Sequence, residues 1–540
     1  MRCKTTIILL LALSLGLQSI AQVRISGLKK ISSTSGNLGT ILPAYDFFGY
    51  QMANIGDLDG DGVQDIAVSS PGDNDGGSRH GAIYVLFMKN DGTVKSTHKI
   101  SQTSGNLGIG LADGEQFGQS VTNIGDLDGD GVQDLAVGAV DHLGAFIGGV
   151  YILFMKRDGT VKRTTIIDQH TANFSSTATG HFGWNMVSPG DVDGDGIPDL
   201  AVGAPQDNDG GNNRGAVYII FLKKDGTVKR YQKISSISGG FNGHFEDGCS
   251  FGYAMAKLGD IDGDGIPDMA VSAVNYPSQP SIVFILKLNT NGTVKTYSQI
   301  DNGPNGMNGV LSVTETFGSG ITMINDINGD GTKDMVVGAC HNNDGGAQRG
   351  AVYVLYLTED FQVKDYDKFS GYITDSLKNV VQDGSFWGSS VIPLNNFNRM
   401  YPNTIGVAAV RDHDGNIQAG AFFVLFLKPL ISNHLNPFYK PSGVYPLVDT
   451  SNSTKTIEDQ CIDYKLFPNP SDGLLNIDFP CVQERSFIVF DAMGRRIVAF
   501  YDISEEKYKF NFSDFASGIY FVRIITDGHI STEKWVKQSL

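Results

Sequence analysis

Nine residues recur along the chain with the composition of a cation trap. They read DLDGDGVQD at Asp57–Asp65 and Asp126–Asp134, DVDGDGIPD at Asp191–Asp199, DIDGDGIPD at Asp260–Asp268 and DINGDGTKD at Asp326–Asp334. Oxygen-bearing side chains fall at positions 1, 3, 5 and 9, and glycines at 4 and 6. Calcium takes six to eight oxygen ligands at about 2.3–2.6 Å, and alternate carboxylates can reach one such ion only if the loop coils tightly. The glycines permit the backbone angles that coiling requires. The expected side-chain ligands are Asp57, Asp59, Asp61 and Asp65; Asp126, Asp128, Asp130 and Asp134; Asp191, Asp193, Asp195 and Asp199; Asp260, Asp262, Asp264 and Asp268; and Asp326, Asn328, Asp330 and Asp334. Position 7 (Val63, Val132, Ile197, Ile266, Thr332) has no strong ligand side chain and is expected to offer its backbone carbonyl. The spacing resembles the first half of an EF-hand loop. It closes on Asp at 9 instead of Glu at 12, and no helical pattern flanks it. Asp-Gly runs also make simple turns, but five copies in one register point to about five calcium sites. Magnesium fits less well, because it keeps several waters.

Loops of this kind need strands to hold them. The first ligand positions, counting a degenerate sixth copy at Asn396, lie 65 to 70 residues apart. Each loop is preceded by an aromatic-glycine pair: Phe48-Gly49, Phe117-Gly118, Phe182-Gly183, Phe251-Gly252, Phe317-Gly318 and, in the sixth copy, Trp387-Gly388. After each loop comes a short apolar run with small residues (IAVSSP, LAVGAP), then a polar glycine turn and an alternating strand (GAIYVLF, GAVYIIF). In copies one to four an Asp-Gly or Asn-Gly turn, TVK and a last strand follow, which is a hairpin signal. Each unit therefore reads as four short antiparallel strands. Such a sheet cannot bury both faces alone, so serial units imply an all-β, six-bladed (alternatively seven-bladed) β-propeller. The small residues of the second strand are expected near the central axis, and the Phe or Trp between neighbouring blades.

In the sixth copy the ligand positions are Asn396, Asn398, Met400 and Thr404, with no carboxylate, so no calcium is expected there. It also stops at Lys428-Pro429 without a fourth strand. Leu28–Ser33 matches the KIS strands and precedes the first Phe-Gly, so it is expected to complete the sixth blade and close the ring.

These residues resemble the FG-GAP repeats of the integrin α-subunit propeller over roughly residues 22–428. The two signatures of the name stand at Phe182-Gly183 and Gly203-Ala204-Pro205. The resemblance implies calcium loops on one face and ligand-binding loops on the other. It departs in blade count, since integrins have seven repeats. On the opposite face, DNDGGSRHG (Asp73–Gly81), DNDGGNNRG (Asp207–Gly215) and NNDGGAQRG (Asn342–Gly350) present Arg79, Arg214 and Arg349, either toward a ligand or paired with nearby Asp.

The chain has 540 residues, 67 of them glycine, and a net charge of −17. The five loops hold 19 of its 58 acidic residues, and five divalent ions would bring the charge to −7. Nothing supplies the basic stripe that a nucleic-acid partner would need. Residues 1–21 read as a signal peptide: Arg2 and Lys4, an apolar run from Ile7 to Leu17, and cleavage after Ala21. No later stretch is apolar enough to cross a membrane. Of the remaining cysteines, Cys461 and Cys481 could pair, and Cys249 and Cys340 read as buried thiols.

Residues 429–462, rich in Pro, Ser, Asn and Thr, read as a linker, and 463–540 as a small β-sandwich. This tail resembles the C-terminal sorting domain of the type IX secretion system of Bacteroidetes. The matching residues are Pro468-Asn469-Pro470, Val489-Phe490-Asp491-Ala492-Met493-Gly494, Gly518-Ile519-Tyr520 and Lys534. The resemblance implies contact with that machinery, export across the outer membrane, and a propeller left on the surface or released. There is no HExxH or Walker loop, and His80, His142 and His413 do not have the spacing of a zinc site. The expected function is therefore a calcium-binding surface or secreted module that takes a protein or glycan ligand, as in adhesion. The alternative is a carbohydrate-active or phosphoester hydrolase or lyase with its site at the propeller axis, which converging carboxylates or histidines there would favour.

Overall fold

A computed structural model describes residues 22–142, 144, 147–168, 170–171, 180–243, 246–274, 280–372, 374–394, 397 and 402–430, and in the tail 465–467, 474–478, 485–492, 496–503, 507–511, 517–526 and 529–538. The signal peptide, nearly all of the linker, Cys461, Cys481, Pro468-Asn469-Pro470, and Asn396, Asn398 and Met400 lie outside the described residues.

The chain is all-β, with one short helix at Asp375–Lys378 among the described residues. Residues 22–430 form six four-stranded antiparallel sheets, the repeat expected of a β-propeller. In the first sheet the strands are Met52–Gly56, Asp65–Ser70, Ala82–Met88 and Val94–Ile100, in sequence order. The second to fifth sheets repeat that order. The sixth consists of Trp387–Pro393, Asn403–Ala409, Ala421–Leu430 and, as its outer strand, Gln22–Ile31. The N-terminal strand does complete the last sheet. It is longer than the KIS match, pairing from Gln22 opposite Leu430 to Ile31 opposite Phe422, so the strand before the linker runs two residues past Lys428.

Six apolar cores lie between the sheets, each shared by two neighbours, and the sixth sheet shares its core with the first. The aromatic of each Phe-Gly or Trp-Gly pair is at most 1% exposed in one of these cores. In five of the six its backbone bridges to the glycine ahead of the third strand of the preceding sheet: Gly81 to Phe117, Gly148 to Phe182, Gly215 to Phe251, Gly350 to Trp387 and Gly420 to Phe48. Full burial of such a side chain is worth about 1.5–3 kcal/mol, so these six aromatics are a main part of the cohesion between sheets.

The small residues of the second strand have a different cause from the one expected. The axis is lined by first strands, through Met52, Val121, Met186, Met255, Ile321 and Val391. Gly138, Gly203 and Gly338 are small because a Cβ there would lie 2.0, 2.2 and 1.9 Å from the carbonyl of Gly183, Gly252 and Gly388 in the next sheet. The glycines of the two FG-GAP signatures thus meet each other across a blade interface.

The tail forms a three-stranded sheet (Lys465–Phe467, Leu474–Asp478, Lys507–Asn511) and a four-stranded one (Arg496–Ile503, Arg485–Asp491, Gly518–Thr526, His529–Lys537). Burial alternates as read in Ile519–Ile524, where Tyr520, Val522 and Ile524 are buried, but not in Phe487–Phe490, where Phe487, Ile488 and Val489 are all buried.

Candidate metal centres

Each acidic loop joins the first and second strands of a sheet and is folded by its own carboxylates. Asp57 accepts backbone N–H groups from Gly60 at 2.8 Å, Asp61 at 2.9 Å and Gly62 at 2.8 Å. Asp126, Asp191, Asp260 and Asp326 make the same three bonds. Gly60 and Gly62 stand at φ +81° and +89°, the left-handed region that tight coiling demands. The position-5 carboxylate takes the N–H two residues on, as Asp61 does from Val63 at 3.0 Å.

Position 9 opens the second strand and ties the loop to the sheet. Asp65 is 1% exposed; it accepts the Leu58 N–H at 2.9 Å and, from the end of the third strand, the Met88 N–H at 3.0 Å. Asp134, Asp199 and Asp268 repeat both bonds, and Asp334 accepts the Ile327 N–H at 2.9 Å. Burial, with neighbouring loop carboxylates adding to it, pushes the Asp65 and Asp134 acids up to about 6 and those of Asp199 and Asp334 to about 7; Asp268 is raised as well. A loop this rich in carboxylates favours a counter-cation.

Three acids, not all four, gather in a loop. Carboxylate oxygens of Asp57, Asp59 and Asp61 lie within 4.8 Å of one another, as do those of Asp126, Asp128 and Asp134, of Asp191, Asp193 and Asp199, and of Asp260, Asp262 and Asp268. Asp65 in the first loop and Asp130, Asp195 and Asp264 in the next three stand outside these groups. The fifth loop, where Asn328 replaces one acid, makes no three-acid group among the described residues. Position 7 turns its side chain into the inter-sheet core: Val63 is 6% and Val132 9% exposed, and Ile197 and Ile266 pack at the core edge. Thr332 is half-buried. Of the sixth copy's positions only Thr404 is described, and it is buried in the second strand.

A divalent cation fits this donor set. All its ligands would be hard oxygens. The Oδ1 atoms of Asp128 and Asp193 are buried without a hydrogen-bond partner, a cost of about 1–3 kcal/mol or more for an isolated group. Their Oδ2 atoms are occupied. Lys162 reaches Asp128 at 3.1 Å and Asp130 at 2.7 Å, and Lys229 reaches Asp193 at 3.0 Å and Asp195 at 2.6 Å. Lys95, Lys295 and Lys364 take the same outer oxygens in the other loops. These lysines were not singled out from the sequence. The signal was the Lys of the recurring TVK (QVK in the fifth copy), 31 to 36 residues beyond the acids it meets, which antiparallel pairing brings back beside the loop.

The opposite face is held by ionic networks under the 2–3 connections. Tyr84 donates to Asp73 at 3.2 Å with Lys99 alongside, and Tyr218 donates to Asp207 at 2.8 Å with Lys233 alongside. In the second sheet Glu115 accepts from Tyr151 and contacts His142 at 2.6 Å. Burial alone would lower the His142 pKa, but the hydrogen bond and charge of Glu115 and the charge of Asp168 outweigh it and raise it. Arg214 and Arg349 pair with Asp247 at 2.8 Å and Asp383 at 2.5 Å in the next 4–1 connection. Arg79 makes no such pair, because His80, one residue on, takes the corresponding Asp113 at 3.1 Å. His413 accounts for its backbone N–H through Gln382 at 3.3 Å, and His80, His142 and His413 form no common cluster among the described residues. Cys249 and Cys340 are buried free thiols, and burial pushes both up to about 11.

Repeated four-stranded sheets, glycine-to-glycine blade contacts and acidic loops define a β-propeller of the FG-GAP type. The FG-GAP repeat family model matches residues 48–86 and 183–220, and the secretion system C-terminal sorting domain model matches residues 465–538. The chain is an FG-GAP repeat protein with a C-terminal sorting domain, which places it at the cell surface or outside the cell. No helix among the described residues is long and apolar enough to cross a membrane. Integrin alpha-PS2 of Drosophila melanogaster is 34% identical over 249 residues, 44% of this chain and 16% of that protein. Integrin alpha pat-2 of Caenorhabditis elegans is 30% identical over 244 residues, 42% of this chain and 18% of that protein. Phosphatidylinositol-glycan-specific phospholipase D of Bos taurus is 31% identical over 191 residues, 34% of this chain and 21% of that protein. The chain thus spans between 16 and 21% of the length of these relatives.

Proposed function

We propose that this protein is a secreted or surface-held ligand-binding propeller whose loops are set by calcium. The reading rests on one observation: in four separate sheets carboxylate oxygens of loop positions 1 and 3 converge within 4.8 Å with one from position 9, or in the first loop from position 5. Asp57, Asp126, Asp191, Asp260 and Asp326 and the acids that follow each of them would hold one ion per loop, about five in all. The position-7 carbonyls from Val63 to Thr332 would complete the shells. Bound calcium supplies a fixed double charge that lets crowded carboxylates stay ionised and locks the first strand to the second. The chain's own part is to coil each loop on the position-1 acid, anchor it at position 9, and neutralise the outer oxygens with lysine.

The secretion machinery would read residues 463–540. Residues 1–21 and the tail would be lost on the way out, leaving residues 22–428 as the working module and 429–462 as its tether. The ligand, a protein or a glycan, would meet the face opposite the acidic loops. The hydrolase alternative gains nothing from the axis, since the described residues lining it include His341 but no carboxylate. The test is titration of the chelator-stripped full chain with calcium by calorimetry. About five ions should bind per chain, and magnesium should bind more weakly. A stoichiometry near zero would overturn the reading.

A further inference from the structure

The axis opens on the face opposite the acidic loops into a cup of about 400 Å³. Its wall is built from the residue after each Phe-Gly or Trp-Gly pair. In the first, third and fourth sheets that residue is Tyr50, Trp184 and Tyr253; in the second, fifth and sixth it is Gln119, Ser319 and Ser389. In ring order Trp184 and Tyr253 are neighbours, Ser319 and Ser389 are neighbours, and Gln119 stands between Tyr50 and Trp184. Trp184 lies 6.3 Å from Tyr50 and 5.6 Å from Tyr253, ring centre to ring centre, forming a continuous aromatic wall.

The polar part of the lining has unused hydrogen-bonding capacity. The Ser389 Oγ is buried without a hydrogen-bond partner, and Gln119, 2% exposed beside the Tyr50 hydroxyl, leaves its Nε2 without a well-formed one. A buried donor left unmade is costly, so it marks a place for an acceptor. At the rim stand two guanidiniums. Arg411 lies 4.3 Å over the Phe386 ring, and Arg79 donates to Gln116 at 2.9 Å. Both lie in adjoining sheets, and both are exposed. Arg79 reaches the rim because it stands one residue before the position from which Arg214 and Arg349 pair outward. Among the described residues no carboxylate lines the cup.

We infer that the cup binds a sugar ring bearing a carboxylate, of the uronic acid class. This rests on the ligand-binding reading given above and adds the site and the chemistry. An aromatic wall suits the C–H face of a pyranose. Unpaired donors suit ring and hydroxyl oxygens. The guanidiniums recognise a planar carboxylate, which Arg does better than any other side chain. The volume falls in the range of small-ligand sites and holds one or two rings. A cationic ligand would face two like charges. An acidic side chain of a peptide would leave the aromatic wall uncovered.

The experiment titrates the full chain in calcium with an oligogalacturonide of two to four residues, and in parallel with the neutral galactose oligomer of equal length, following tryptophan fluorescence. Trp184 is the one tryptophan in the cup. The acidic oligomer should give a saturable change, and the neutral one should need at least tenfold more. Arg411→Gln should weaken the acidic oligomer about tenfold and leave the neutral one unchanged. Trp184→Phe should abolish the signal while calorimetry still detects binding. Melting temperatures of both variants within about 2 °C of the parent would show that the fold is intact. Equal responses to the two oligomers, no response at millimolar concentration, or binding untouched by Arg411→Gln would overturn the proposal, as would tighter binding of an acidic peptide. A glycan array run on the same samples separates the two claims. Binding to other glycans with these results negative would remove the cup proposal alone. No ligand on the array, with or without calcium, would count against both.

Discussion

Stripping the divalent ion should lower the melting temperature of the chain by several degrees, and the size of the drop can be worked out. Calcium modules of extracellular proteins have dissociation constants of about 10⁻⁴–10⁻³ M. At about 2 mM free calcium a single such site stabilises the folded state by roughly 0.7–1.8 kcal/mol, from the logarithm of one plus the ligand-to-Kd ratio. Five loops together give about 3–9 kcal/mol. A propeller of about 400 residues unfolds with an entropy of about 0.8 kcal/mol per degree, so the shift is about 4–11 °C. The contribution should be uneven. The second and third loops bury an unpaired Oδ1, on Asp128 and Asp193, and gain most from an ion. Asp193→Ala should therefore remove more of the calcium-dependent shift than Asp330→Ala, since the fifth loop assembles no three-acid group. Differential scanning calorimetry of the chain in calcium, in magnesium at equal concentration and in chelator is the assay. A transition that stays put in chelator, or that moves equally with magnesium, would refute the reasoning.

Three further outcomes follow from particular contacts. Lys162→Gln removes the cation bridging the outer oxygens of Asp128 and Asp130. A like charge about 5 Å from a divalent ion costs roughly 1 kcal/mol in screened solvent, so calcium should bind about three- to tenfold tighter at that loop; titration calorimetry at low and high salt would read it. Phe182→Ala empties a 1% exposed site between the second and third sheets and should cost about 3–5 kcal/mol in denaturant unfolding. The network of His142, Glu115 and Asp168 should be pH-dependent. The histidine is raised, so its contribution is present below its ordinary pKa and fades as pH rises through the raised value. Glu115 and Asp168 are lowered, so theirs is present above the ordinary carboxylate pKa and fades in acid. The stability lost on His142→Ala, about 1–3 kcal/mol, should thus be largest near about pH 5–6 and smaller at pH 8.

The local sequence carried what repeats can carry. Alternation, Asp-Gly turns and the Phe-Gly pair are read within ten residues, because strand pleat and turn geometry are short-range properties. Even the joining of Gln22–Ile31 to the sixth sheet was legible, as a strand with no partner at one end of the chain and a sheet lacking one at the other. The tertiary structure decided which atoms meet. Asp65 and Asp134 hold the same place in identical nonapeptides, yet only Asp134 joins its loop's three-acid group. The lysines that cover the outer oxygens come from a fourth strand folded back by two reversals of the chain. The cup is the clearest case: Tyr50, Gln119, Trp184 and Tyr253 are about 65–70 residues apart, and no local pattern marks them as neighbours. Closing a ring brings one residue from every repeat to the axis. A position that looks like drift within each copy thereby becomes, summed around the circle, a wall of defined chemistry.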